Sequence, residues 1–186
     1  TMGTATTMYS LAQALGMQVP GSAAIPAPYP ERGQISYETG KRIVDMVWED
    51  LKPRDIMTEA AFDNATAVDM AMGGSTNAMI HLIAIAGRAS IKLDLERFDK
   101  ISQKTPVLAN IKPSGEFLME DFYYAGGIRG LMNQLKDHLD LEQINVTGST
   151  LGDSIKDQPV YLEDVIKSTH DPLYHEGGTA ILRGNL

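Results

Sequence analysis

Residues 71–89 read AMGGSTNAMIHLIAIAGRA. Two glycines precede three small hydroxyl or amide side chains, and an almost unbroken apolar run follows, interrupted by His81. Gly73 and Gly74 permit positive φ and close backbone approach. Ser75, Thr76 or Asn77 can cap the helix that follows. The unpaired N–H groups and the dipole at such a helix start favour a carboxylate or a phosphate. On the motif alone, a plain helix cap is the reading to prefer. The run Ala78–Ala89 is apolar around most of its circumference, which predicts a central core helix. His81 then reads as a hydrogen-bonded core residue rather than a ligand or a base, because no carboxylate accompanies it in sequence.

Working outward, Thr4–Met17 carries Met8, Leu11, Ala12 and Leu15 at helical spacing, with Gly16 as a C-cap. Val19–Gln34 holds Pro20, Pro26, Pro28 and Pro30 and reads as a loop. Ser36–Lys52 is predicted to be an amphipathic helix capped by Ser36 and ended by Pro53. Its buried stripe is Ile43, Val44, Met46, Val47 and Leu51. Asp55 or Thr58 caps a helix over Glu59–Met72, and Asp94–Gln103 is a shorter, more polar one. PVLANI, residues 106–111, reads as a strand and KPSGE as a turn. Met119–Leu139 reads as a helix interrupted at Gly126–Gly127, with Ile128, Leu131, Met132, Leu135 and Leu139 on one face. Glu120 and Asp121 suit a helix N-terminus without any catalytic role. From Ile144 onward, INVTG, VYLEDVI and TAILRG are short β-type runs. The fold class predicted is mainly α-helical with a short β-containing C-terminal part.

The chain has 186 residues, a formal net charge of −8 and no cysteine. The acidic balance argues against nucleic-acid binding, since phosphates need neutralising cations. Without cysteine there is neither a disulfide nor a thiolate-held metal within the chain. No apolar run approaches the length of a membrane span, so no membrane role and a cytoplasmic location are expected. His138, His170 and His175 lack metal-ligand spacing, and no phosphate-binding loop or nucleophile elbow is present.

Five segments occur in a specific order: TMGTATTM at 1–8, GKRIVDMV at 40–47, FDNATAVDMAMGGSTNAMIHLIAIA at 62–86, IKPSGEFLMEDFYYAGGI at 111–128 and GGTAILRGNL at 177–186. With them the chain resembles the family of dihydroxy-acid dehydratases, 6-phosphogluconate dehydratase and the aldonic acid dehydratases, across nearly all its length. The resemblance implies an internal fragment of an α/β dehydratase. Residues 1–140 would be the later, helical part of its N-terminal domain, and residues 141–186 a connector and the opening of a β-barrel-like domain. It implies a hydro-lyase that removes water from a 2,3-dihydroxy acid or a sugar acid to give a 2-keto acid. An iron–sulfur cluster and magnesium serve in the full-length family; no ligand to either and no catalytic residue is expected in this segment. A cluster cysteine just upstream of the MGTA segment makes Met2, Gly3 and Thr4 cluster-adjacent candidates. Ser75, Thr76 and Asn77 are the candidate substrate-binding residues. The partners implied are a small hydroxy acid and further copies of the chain. TMGTATTM and YPERGQISYETGKR resemble the sugar-acid branch; the alternatives are the branched-chain amino-acid branch and a non-catalytic helical scaffold or interaction protein. Such a piece is expected to leave apolar faces bare on the Ala78–Ala89 helix and, at Met8, Leu11 and Leu15, on the first helix.

Overall fold

A computed structural model describes residues 2–185. In chain order the helices are α1 (Thr4–Ala14), α2 (Glu31–Trp48), α3 (Pro53–Ile56), α4 (Glu59–Met72), α5 (Asn77–Arg88), α6 (Leu95–Ser102), α7 (Met119–Tyr124), α8 (Gly127–Gln134) and α9 (Leu151–Ile155). The mainly helical class holds. The β-type runs form isolated bridges instead of ladders: Val107 with Tyr174, Ala109 with Ile166, Ile111 with Phe117 and Ile144 with Thr150.

The centre of the fold is α4. Every residue from Ala61 to Met72 except Asp63 is buried. Its alanines and its one threonine, Thr66, keep the helix narrow, so α1, α5 and α6 pack directly on it. Phe62 is fully buried and alone contributes about 3 kcal/mol by removal of its ring from water. The Thr58 hydroxyl caps the helix by accepting from the Ala61 N–H at 3.1 Å. Gly73 ends it in the left-handed conformation, φ 61°. Asp55 instead caps the short α3, accepting from the Lys52 N–H at 2.8 Å.

Helix α5 is not the core helix its composition predicts. Only Ala78, Leu82 and Ala86, one stripe at i, i+4 and i+8, are buried, and Ile80 and His81 are exposed. His81 is therefore not a core histidine. An apolar circumference permits burial on all sides, but nothing among residues 2–185 covers the outer side. Helix α1 departs the other way: Leu11 and Leu15 are buried within the chain, so its apolar face is already occupied by α4.

Helix α2 differs most from expectation. It begins at Glu31, with Pro30 at the cap position, and absorbs the end of the predicted loop. Pro at a helix start forfeits no hydrogen bond there. Ser36 lies inside the helix, its hydroxyl donating to the Arg32 carbonyl. Of the predicted stripe only Met46 is buried; Leu51 is half-buried, and Ile43, Val44 and Val47 are exposed.

Residues 106–111 are extended and wedged between α4 and the C-terminal region. The Leu108 and Ala109 N–H groups both donate to the Ala71 carbonyl, at 2.9 and 3.1 Å. Their other side meets the Lys167 N–H, which donates to Leu108 O at 2.8 Å. The predicted break at Gly126–Gly127 separates α7 from α8, both glycines holding positive φ.

Candidate functional site

The Gly73–Asn77 turn joins α4 to α5, and its two glycines do different work. Gly73 supplies the left-handed cap. Gly74 supplies room: a Cβ there would stand 2.0 Å from Asp69 Oδ1. Asp69 is buried, and its Oδ1 has no hydrogen-bond partner among the described residues. Burial without compensation pushes its carboxyl up to about 7. The turn thus sits on an acid that is substantially protonated near neutrality.

Beyond the turn, the chain brings together two helix N-termini that lie about seventy residues apart in sequence. Thr4 Oγ1, at the first residue of α1, lies 3.0 Å from Ser75 Oγ. The Asn77 amide, at the first residue of α5, donates to Thr4 Oγ1 at 2.9 Å. The Ser75 N–H donates to Thr7 Oγ1 at 3.2 Å, and the Thr7 hydroxyl donates in turn to the Gly3 carbonyl at 2.9 Å. Neither α1 nor α5 has a side-chain cap from its own N-cap residue. The cluster therefore presents two helix starts with their positive dipole ends on one polar, partly exposed patch.

The predicted residues divide within this arrangement. Gly3, Thr4, Ser75 and Asn77 gather at the patch, and Thr76 beside them is exposed. Met2 does not join them: its side chain is buried in the core and its N–H donates to the Lys112 carbonyl at 2.9 Å. Thr7 and Asp69 were not among the expected site residues. A single acid inside the apolar run AVDMAM, five residues before Gly74, was the available signal for Asp69. Asp63, the other acid of α4, has a separate task, pairing with the Arg97 guanidinium at 2.6 and 2.8 Å. Glu120 and Asp121 lie apart from the patch: Asp121 caps the Leu118 N–H at 2.7 Å, and Glu120 accepts from the Tyr29 hydroxyl at 2.5 Å. That bond raises the Tyr29 phenol above its ordinary range.

Residues 1–154 match the family described as dihydroxy-acid/6-phosphogluconate dehydratase N-terminal. The chain belongs to this dehydratase family. It is similar to the dihydroxy-acid dehydratase of Thermodesulfovibrio yellowstonii, at 48% identity over 185 residues, covering 100% of this chain and 34% of that protein. The dihydroxy-acid dehydratase of Pyrococcus furiosus is 46% identical over 187 residues, again 100% of this chain and 34% of the relative. The 6-deoxy-6-sulfo-D-gluconate dehydratase of Pseudomonas putida is 46% identical over 189 residues, 100% of this chain and 33% of the relative. The chain thus spans about a third of the length of the curated relatives it matches.

The donors on this chain do not fit the metal groups the family resemblance implies. There is no cysteine to hold cluster iron. Among the described residues no three His, Asp or Glu side chains gather where they could hold a metal ion. No helix among these residues is long and apolar enough to cross a membrane.

Proposed function

We propose that this chain forms part of a cytoplasmic hydro-lyase that dehydrates a 2,3-dihydroxy acid or an aldonate to a 2-keto acid, and that it is inactive alone. Residues 1–140 belong to the dehydratase domain and residues 141–186 lead into a second one. The observation that carries the reading is the convergence of the α1 and α5 N-termini at Thr4, Ser75 and Asn77. Two helix starts on one polar patch suit an anionic substrate with several hydroxyls. The dipole ends attract the carboxylate, while the Thr and Ser hydroxyls and the Asn amide can donate to or accept from substrate oxygens. Their mutual hydrogen bonds fix these groups before substrate arrives, which lowers the ordering cost of binding. Ser75, Thr76 and Asn77 are thus substrate-binding residues, and Gly3 and Thr4 border the metal centre contributed from elsewhere. The acid of choice is an aldonate, for which the stretches TMGTATTM and YPERGQISYETGKR speak. The working enzyme is a homo-oligomer.

Replacing the residue that matches Asn77 by Leu in an intact relative tests this. Turnover should fall about ten- to hundredfold, the cost of one hydrogen bond to a charged group, with the unfolding midpoint nearly unchanged. Full turnover with a lowered midpoint would reduce the segment to a helix cap.

A further inference from the structure

Helix α2 is the anomaly of the fold. It is 18 residues long, and only Met46 is buried. Its apolar side chains are largely exposed: Trp48 is 83% exposed, Val47 72%, Tyr37 68%, Ile43 55% and Val44 54%, Ile43 and Val47 at the rim of a groove. A helix of this length draws its stability mostly from a packed apolar face, which α2 lacks. Few tethers hold it: Arg42 Nε donates to the Val146 carbonyl at 2.5 Å, and Arg32 donates to the Tyr9 hydroxyl at 2.6 Å. Beside it runs an apolar groove of about 750 Å³, walled by α2 on one side and by Met17, Val19 and Val146 on the other.

We propose that α2 pairs antiparallel with α2 of a second copy of this chain. The inference rests on the homo-oligomeric part of the functional reading and assigns its surface. Three features of the helix fit a copy of itself. The first is shape. A two-fold axis between Ile43 and Val44 sets Gly40 of each copy opposite Val47 of the other. A Cβ on Gly40 would meet nothing within 4 Å in the single chain, so open space there admits a neighbouring side chain. The second is charge. The chain carries −8 overall, which opposes self-association, yet α2 is neutral, with Glu31, Glu38 and Asp45 balanced by Arg32, Lys41 and Arg42. The same axis brings Lys41 of each copy near Asp45 of the other, and antiparallel helices also oppose their dipoles favourably. The third is area. Five side chains of this size and exposure present on the order of 600 Å² per copy, or about 1,200 Å² for a pair, the lower bound of specific interfaces. The groove beside α2 adds apolar wall for the partner's Trp48.

Trp48 is the only tryptophan in the chain, so its fluorescence reports on this surface alone. The 186-residue chain is examined by sedimentation equilibrium and by tryptophan emission with acrylamide quenching, both across the micromolar range. The expected result is a monomer–dimer equilibrium in which emission shifts to the blue and quenching falls as dimer forms. Val47→Glu should weaken association at least ~100-fold, since it buries an unpaired carboxylate twice. The far-UV circular dichroism of the diluted monomer should be unchanged, because Val47 touches solvent there. A monomer at every concentration, with the emission of a water-exposed indole, overturns this pairing and leaves the oligomer reading to the rest of the enzyme. A dimer indifferent to Val47→Glu overturns the pairing and leaves the oligomer. A monomer with concentration-independent blue emission means that another part of the chain covers α2, and also overturns the pairing.

Discussion

Asp69→Asn should leave the chain nearly unchanged below about pH 4 and stabilise it increasingly as the pH rises from there to about 7. The carboxyl is buried, Oδ1 has no partner, and its titration is raised from 3.8 to about 7 by desolvation. An acid whose folded value exceeds its unfolded one favours the folded state only while protonated. Its contribution is fully present below about pH 4 and is lost as the pH rises through about 7. At 1.36 kcal/mol per pH unit, the difference between 3.8 and about 7 corresponds to roughly 4 kcal/mol by which ionised Asp69 destabilises the fold. Relaxation of the turn lowers the realised value to about 2–4 kcal/mol. Asn has nearly the same volume and no charge, so it removes this penalty while keeping the packing beneath Gly74. Urea titrations at several pH values between about 4 and 8 measure it. The wild type should lose stability progressively from about pH 4 to about pH 7 and level off above that, and the variant should not. Equal pH dependence in the two proteins would refute the reasoning. It would mean that the Asp69 charge is compensated by something other than the residues around it here.

Gly74→Ala should be severely destabilising, about 3 kcal/mol or more, because the new Cβ would stand 2.0 Å from Asp69 Oδ1 and 2.9 Å from Thr7 Cγ2. Chemical denaturation reads it, and adding Asp69→Ala should recover part of the loss. Thr58→Ala should cost about 1 kcal/mol in the same assay, through loss of the cap on the Ala61 N–H. The Asp63–Arg97 pair is partly exposed, so Asp63→Ala should change stability by no more than about 1 kcal/mol despite its two-pronged geometry.

The elements of this fold were legible in the sequence where local chemistry decides them. Thr58, Asp94, Gly73 and the Gly126–Gly127 break all lie where capping and turn preferences put them. Which faces are covered was not legible. The apolar stripe of α2 and the apolar girth of α5 say what can be buried, and only the neighbours decide what is. Helix α4 became the core because its small side chains let three helices approach, a property that hydrophobic periodicity does not register. Of the β-type runs after Ile144, INVTG and VYLEDVI find single bridging partners rather than a ladder, and among the described residues TAILRG finds none. The GGSTN turn and the MGT segment were each visible as candidates. Their meeting depends on α1 and α5 packing side by side across α4, a long-range contact that spacing along the chain cannot reveal. Asp69 was hidden for the same reason, since its burial follows from that packing.

The central claim is that the α1 and α5 N-termini act as one substrate-binding unit. A double-mutant cycle on kcat/KM tests it most directly, with Thr4→Val and Asn77→Ala at the matching positions of an intact relative. The Asn77 amide donates to Thr4 Oγ1 at 2.9 Å, so each substitution also disturbs the other residue. The predicted result is a loss in each single variant and a coupling of about 1 kcal/mol or more, the double variant being little worse than either single one. Additive losses, or wild-type kcat/KM in either single variant, would contradict it.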